Sequence, residues 1–290
     1  MARNSISQSG ALRRLRDHIH STRDAGVALG VLSCLFSINS AQAETLKAHY
    51  GMTLMGLSIG TAYASGYVEP KAYRIEIGMR TTGLANLVNS AKGAATATGA
   101  MSLMGPSPAA YSNSITNSEE TRTVRMSLSG NAVRAVDIRP EPWDLPARVP
   151  LGDTARRHVV DPVSALIMSV PAGQELSGPA ACERTISVFD GVTRFDVSLS
   201  YAGSQTVEAK GYAGPVVVCT ARYTPIAGHR PDSASTRYMS ENHDIHVWLA
   251  PLPETHVVLP IHIDIGTAAG ELSIDASEFT LGQRRADSGK

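Results

Sequence analysis

Along most of this chain, apolar and polar residues alternate with a period of two, the pattern of strands that bury one face. Leu46, Ala48, Tyr50, Met52 and Leu54 alternate with Lys47, His49, Gly51 and Thr53. After a break at Gly56, Leu57, Ile59, Thr61 and Tyr63 read as the neighbouring strand. Tyr73, Ile75, Ile77 and Met79 alternate with Arg74, Glu76, Gly78 and Arg80. Lys92–Ala100 reads as a strand of small side chains at a sheet edge, small enough also to admit a second backbone or to line a ligand groove. Val124, Met126 and Leu128 lead through Ser129-Gly130-Asn131 into Ala132–Ile138, a hairpin. Thr206–Tyr212, Pro215–Tyr223, Asp244–Ala250, His256–Gly266 and Glu271–Phe279 all read as strands.

The stretch from Cys182 to Cys219 organises the second half. Asp190-Gly191 is a strong two-residue turn signal, since both central positions of a type I′ turn need φ > 0. Built around it, a hairpin sets Phe189 opposite Val192, Val188 opposite Thr193, Ile186 opposite Phe195, Arg184 opposite Val197 and Cys182 opposite Leu199. One face then collects Cys182, Ile186, Val188, Phe195, Val197 and Leu199, and the other is mostly polar. Val217, Cys219, Ala221 and Tyr223 share a face of a later strand, so both cysteines point into one core and a Cys182–Cys219 disulfide is expected.

One clear helix is expected, besides a helical turn at Gly83–Val88. Asp161 suits an N-cap, Pro162 the first helical position, and Val163, Leu166, Ile167 and Val170 one face, with Pro171 and Gly173 ending it. Capping accounts for Asp161 without catalysis. Pro140, Pro142, Pro146 and Pro150 make residues 139–151 a crossover between two halves of the protein. Strands of this length between Gly, Pro and Asn turns predict a mainly β fold: an antiparallel, curved sheet or incomplete barrel with one short helix.

The amino terminus changes where this fold is expected to live. Arg3, Arg13, Arg14, Arg16 and Arg23 precede an apolar run from Ala25 to Ile38, followed by Ala41-Gln42-Ala43. That is a secretory signal peptide, with cleavage expected after Ala43 and a single β-rich domain over residues 44–290. No later stretch approaches the ~20 apolar residues of a spanning helix, so a periplasmic, non-transmembrane chain is expected. It would keep Cys182 and Cys219 of the three cysteines, an even pair suited to an oxidising compartment. The whole chain carries 26 basic and 26 acidic residues, and the part after Ala43 carries 21 and 24. That balance gives no footprint for nucleic acid.

Motifs for chemistry are sparse. Gly56-Leu57-Ser58-Ile59-Gly60 matches G-x-S-x-G, but it lies at the start of the chain with no helix after it, so a turn between strands explains it better. His229, His243, His246, His256 and His262 crowd the last quarter, and His246 and His262 would share a face with Asp264 on neighbouring strands. Three such side chains are a conceivable ligand set, yet no tight metal motif occurs, and surface histidines are the commoner use. The segment Arg222–Arg230, RYTPIAGHR, carries Arg222, His229 and Arg230 on a loop, a candidate for an anionic group such as a lipid phosphate. Neither a catalytic residue, a cofactor nor a metal is assigned.

Four stretches, DPVSAL (161–166), CERTISVFDGVTRFDV (182–197), GYAGPVVVCTARYTPIAGHR (211–230) and VWLAP (247–251), resemble a family of exported Gram-negative envelope proteins catalogued as a domain of unknown function. The resemblance implies no reaction. At the level of fold alone, the run of hairpins is similar to the open barrels of lipoprotein carriers. The expectation is a non-enzymatic envelope protein that holds a hydrophobic or amphipathic ligand, such as a lipid, or an envelope partner in a concavity. An enzyme acting on envelope polymers and a structural scaffold are the alternatives.

Overall fold

The computed structural model describes residues 43–284, apart from 70, 84–85, 87–89 and 103; the predicted leader lies outside the described residues. The first meander comprises β1 (Ala43–Leu54), β2 (Leu57–Val68), β3 (Tyr73–Thr81), β4 (Lys92–Ser102), β5 (Gly105–Thr116), β6 (Thr121–Ser129) and β7 (Ala132–Arg139). A two-residue strand, β8 (Met168–Ser169), follows. The second meander comprises β9 (Arg184–Phe189), β10 (Arg194–Ala209), β11 (Tyr212–Ala227), β12 (Ile245–Leu252), β13 (Val257–Thr267) and β14 (Gly270–Arg284). Every strand-to-strand pairing is antiparallel, and the two meanders meet where β1 pairs β14. This is the expected mainly β, curved, open sheet, with β7 and β9 as its outer strands.

Segment 157–160 spans the gap between those outer strands. Arg157 bridges Ala132 at the start of β7. The Val159 amide donates to Asn131 O at 2.9 Å, the Val160 amide to Ser187 O at 2.9 Å, and the Phe189 amide to Val160 O at 2.9 Å.

Short turns set the registers. Met55 and Gly56 take φ of 51° and 77°, the left-handed pair that a two-residue hairpin between β1 and β2 requires. The Asp190-Gly191 turn is a correction. Phe189 pairs with Arg194, Val188 with Phe195, Ile186 with Val197 and Arg184 with Leu199. The Asp190 carboxylate sets this register by accepting from the Val192 amide at 2.8 Å and the Thr193 amide at 2.6 Å, which centres the turn on Gly191 and Val192. Each partner moves by two residues, so the faces keep their alternation, with Val188 against Phe195 and Ile186 against Val197 as the apolar pairs. The bridge forms between Cys182 and Cys219 with a Cα–Cα distance of 5.5 Å, among Leu199, Val217 and Leu249.

Strand β4 is central, between β3 and β5, rather than at an edge. Its small residues make room for Tyr73. A Cβ on Gly99 would lie 2.7 Å from the Tyr73 hydroxyl, and this space lets the ring reach inward to Ser164, with the two oxygens 2.7 Å apart.

The expected helix at Pro162–Val170 is also corrected. It shrinks to one 3-10 turn, Ser164–Leu166, after which the chain extends into β8 and pairs with Val257 and Val258 of β13. Strand β14 pairs β13 only over His262–Thr267, so the start of β13 has a free side that β8 fills. Backbone groups there gain a ladder partner that a longer helix would deny them. Asp161 is a cap as expected, accepting from the Val163 amide at 3.0 Å, the Ser164 amide at 2.9 Å and the Ser164 hydroxyl at 2.5 Å. Val163 and Ile167 pack into the larger core, which both meanders line, while Met168 and Val170 pack around the disulfide, so segment 161–170 joins the two cores. An α-helix, α1 (Ala234–Glu241), lies elsewhere, with the Ser233 hydroxyl accepting from the Thr236 amide at 3.2 Å.

The β10–β11 hairpin is longer than expected, because Thr206–Ala209 continues β10 across an irregularity at Tyr201/Gly203. Its tip reaches β14. The Phe279 amide donates to Lys210 O at 2.8 Å, and the Tyr212 ring meets the buried Phe279 ring edge-on at 5.7 Å.

Asp161 is fully buried, and burial pushes its carboxyl above the usual range, against the lowering effect of the Ser164 and Val163 hydrogen bonds. The folded state therefore binds a proton more readily than the unfolded chain, so this group's contribution to stability declines as pH rises from about 4 through the raised folded value. Asp190 acts in the same direction. Asp161→Asn should remove part of that slope: its stability loss relative to the parent should be larger at pH 4 than at pH 8 in urea titrations. A loss that grows with pH would contradict the assignment.

Candidate functional site

The alternation that builds the sheet also leaves a pocket. Tyr50 and Met52 of β1, Ile75 and Ile77 of β3, and Ile274 of β14 meet Leu166 and Ile167 of the inserted turn around a space of about 230 Å³. Its one buried hydroxyl is satisfied, because Tyr50 donates to Pro260 O at 2.8 Å. Burial holds that hydroxyl well above its ordinary range, so it stays neutral. The wall offers apolar contact and no charge. Buried apolar cavities of about 150 Å³ take a six-carbon ring, whereas drug-sized ligands need about 300 Å³ or more. The space therefore suits one short alkyl chain or ring. Sequence reasoning placed Leu166 and Ile167 on a helix face and missed them as pocket walls; apolar periodicity reports which side is buried, and not whether the buried side is full.

A polar cluster occupies the other side of the same strands. His246 lies opposite Asp264, and Trp248 opposite His262. Asp275 lies opposite His262, and Ser273 opposite Asp264. These side chains share a face, as expected for His246, His262 and Asp264. Ile263 and Ile274 alternate with them and line the pocket. His262 Nε2 is 2.9 Å from Asp264 Oδ2, and its Nδ1 is 2.8 Å from Asp275 Oδ1. Ser273 donates to Asp264 at 2.6 Å, and the Trp248 ring stands edge-on to His262 at 4.4 Å. With both ring nitrogens facing carboxylates, His262 has no free nitrogen to act as a base on a substrate. The cluster clasps β13 to β14.

The loop candidates do not converge on one group. Arg222 in β11 sets its Nη1 2.8 Å from His243 Nε2. Arg230 faces Asp232 at 3.3 Å, and that carboxylate is held below its usual range by the guanidinium. His229 accepts through its carbonyl from the Val149 amide at 2.9 Å, and the Val149 carbonyl accepts from Gly228 at 2.8 Å. Arg148 closes this contact by reaching Gly228 O at 2.9 Å while pairing with Asp144 at 3.0 Å. The segment read as a loop is strand β11 through Ala227, and the proline-rich crossover docks just past its end, at Gly228 and His229. Ser58 sits within β2 opposite Thr53 of β1, on a strand and not on a strand-to-helix elbow. Among the described residues no group of three or more His, Cys, Asp and Glu is placed to hold a metal, and no helix is long and apolar enough to cross a membrane.

Comparison with known proteins gives the family. No curated protein matches the chain. Among solved structures, the chain is similar to a β-barrel-like protein of domain of unknown function DUF1849 from Brucella abortus, with a TM-score of 0.47, 9% identity, and coverage of 83% of this chain and 98% of that one. A family described as protein of unknown function, DUF3108, matches residues 46–273, from the first meander through to β14, and the chain belongs to that family.

Proposed function

We propose that this protein is a non-enzymatic, exported envelope protein that holds a single apolar chain in the pocket between β1, β3, β14 and the Ser164–Leu166 turn. The observation that carries the reading is the pocket of about 230 Å³ walled by Tyr50, Met52, Ile75, Ile77 and Ile274. The Cys182–Cys219 bridge supports an oxidising compartment, which fits the leader read in residues 1–43. Burying about six methylenes is worth roughly 5 kcal/mol, which corresponds to a dissociation constant on the order of 0.1–1 mM before any headgroup contributes.

Octan-1-ol tests this without involving charge. Titrated into the purified protein and followed by NMR, it should shift resonances of Tyr50 and Ile77 and saturate in the sub-millimolar to millimolar range. Ala62→Phe, placed on the pocket wall, should weaken binding at least tenfold while the circular dichroism spectrum is retained. Undiminished binding by a folded Ala62→Phe protein would remove the pocket as the site.

A further inference from the structure

Segment 152–158 builds a site of another kind. Arg134 on β7, Arg156 at the end of the 3-10 turn Asp153–Arg156, Arg157 and His158 line one surface pocket of about 580 Å³, and Asp153 is the only carboxylate among the lining residues. Several other arginines stand beside carboxylates: Arg74 by Glu76, Arg122 by Glu120, Arg194 by Asp196. Among the described residues none of Arg134, Arg156 and Arg157 forms an ion pair. Arg134 donates to Ser129 O at 3.2 Å, and the Arg156 guanidinium lies 6.0 Å from the Phe189 ring centre. What sets these three apart is that they line one depression together, with a single carboxylate beside them.

The backbone fixes this arrangement. Ala155 is buried and anchors the turn, Arg157 bridges Ala132, and buried Val159 donates to Asn131. Between them His158 is held at φ 53°. Glycine takes that conformation at lower cost, and non-glycine residues kept in it gather at functional sites. The geometry points to a phosphate-binding site: guanidinium forks match phosphate oxygens in pairs, and three of them exceed what a single carboxylate would need. The site shares no lining residue with the apolar pocket, so each can fail alone.

The test uses two sources of the same group. Pyrophosphate is titrated into the purified protein by calorimetry, and sedimentation is measured with phosphatidylglycerol vesicles against phosphatidylcholine vesicles. Saturable pyrophosphate binding assigns a soluble phosphate; selective sedimentation with phosphatidylglycerol and no pyrophosphate binding assigns a lipid headgroup. In either case the double variant Arg156→Gln/Arg157→Gln should bind at least tenfold more weakly with an unchanged melting temperature. Binding should also weaken between about 50 mM and about 500 mM salt, as exposed charges become screened. His158→Gly should weaken binding while melting at the same temperature or higher, which a purely structural histidine would not do. No binding of either probe, or binding that the double variant leaves intact, overturns the assignment.

Discussion

Replacing both bridge cysteines, Cys182→Ala with Cys219→Ala, should cost about 4 kcal/mol, because the bond closes a long loop and restricts the unfolded chain. The sequence separation is 37 residues and both sulfurs are fully buried. Against a total stability of about 5–15 kcal/mol, that is a large share. The melting temperature should fall by roughly 10 °C for a domain of this size. Because the effect acts through the unfolded state, the urea m-value should rise as the released chain exposes more surface. The parent protein unfolded with a reductant present should converge on the double variant. A cost below about 1 kcal/mol would mean that packing around Leu199 and Val217 already confines this region.

Phe279→Ala is expected to cost about 3–5 kcal/mol, the range for a buried aromatic truncated in a well-packed core. The side chain has no exposed surface, and it is the point where the tip of the β10–β11 hairpin meets β14. The loss should be local as well as global. With the Tyr212 contact gone, the Phe279 amide that donates to Lys210 should exchange with solvent faster than amides of β12. Phe279→Leu, which keeps most of the volume, should lose much less. If Phe279→Ala is nearly neutral and Lys210–Tyr212 stays protected, the hairpin tip is held by something other than this ring.

The strands and the bridge were legible because each rests on local signals that agree: alternation at Tyr73–Met79, and cysteines placed on inward faces. What was illegible depended on neighbours distant in sequence. Residues 161–170 carry a good helix pattern, yet the unpaired start of β13 draws Met168 and Ser169 into a ladder. The helix Ala234–Glu241 buries none of its residues and so left no apolar period to read. Small residues in β4 suggested an edge, when their use is to admit Tyr73. For the sites, sequence drew attention to Arg222, His229 and Arg230, which engage His243, Val149 and Asp232. The adjacent pair Arg156-Arg157 was the better signal, but only the fold brings Arg134 beside it.

The span of residues 157–160 across the open side has a consequence for solubility. An open sheet presents rows of unpaired amides and carbonyls that can template a second chain and grow into polymers. Here the rows at the start of β7 and on β9 are each occupied by the protein's own backbone, Val159 at Asn131 and Val160 at Ser187 and Phe189. A protease cut in the crossover ahead of Leu151 would slacken that cover without touching the sheet, and would turn a monomer-compatible fold into one that sticks to copies of itself.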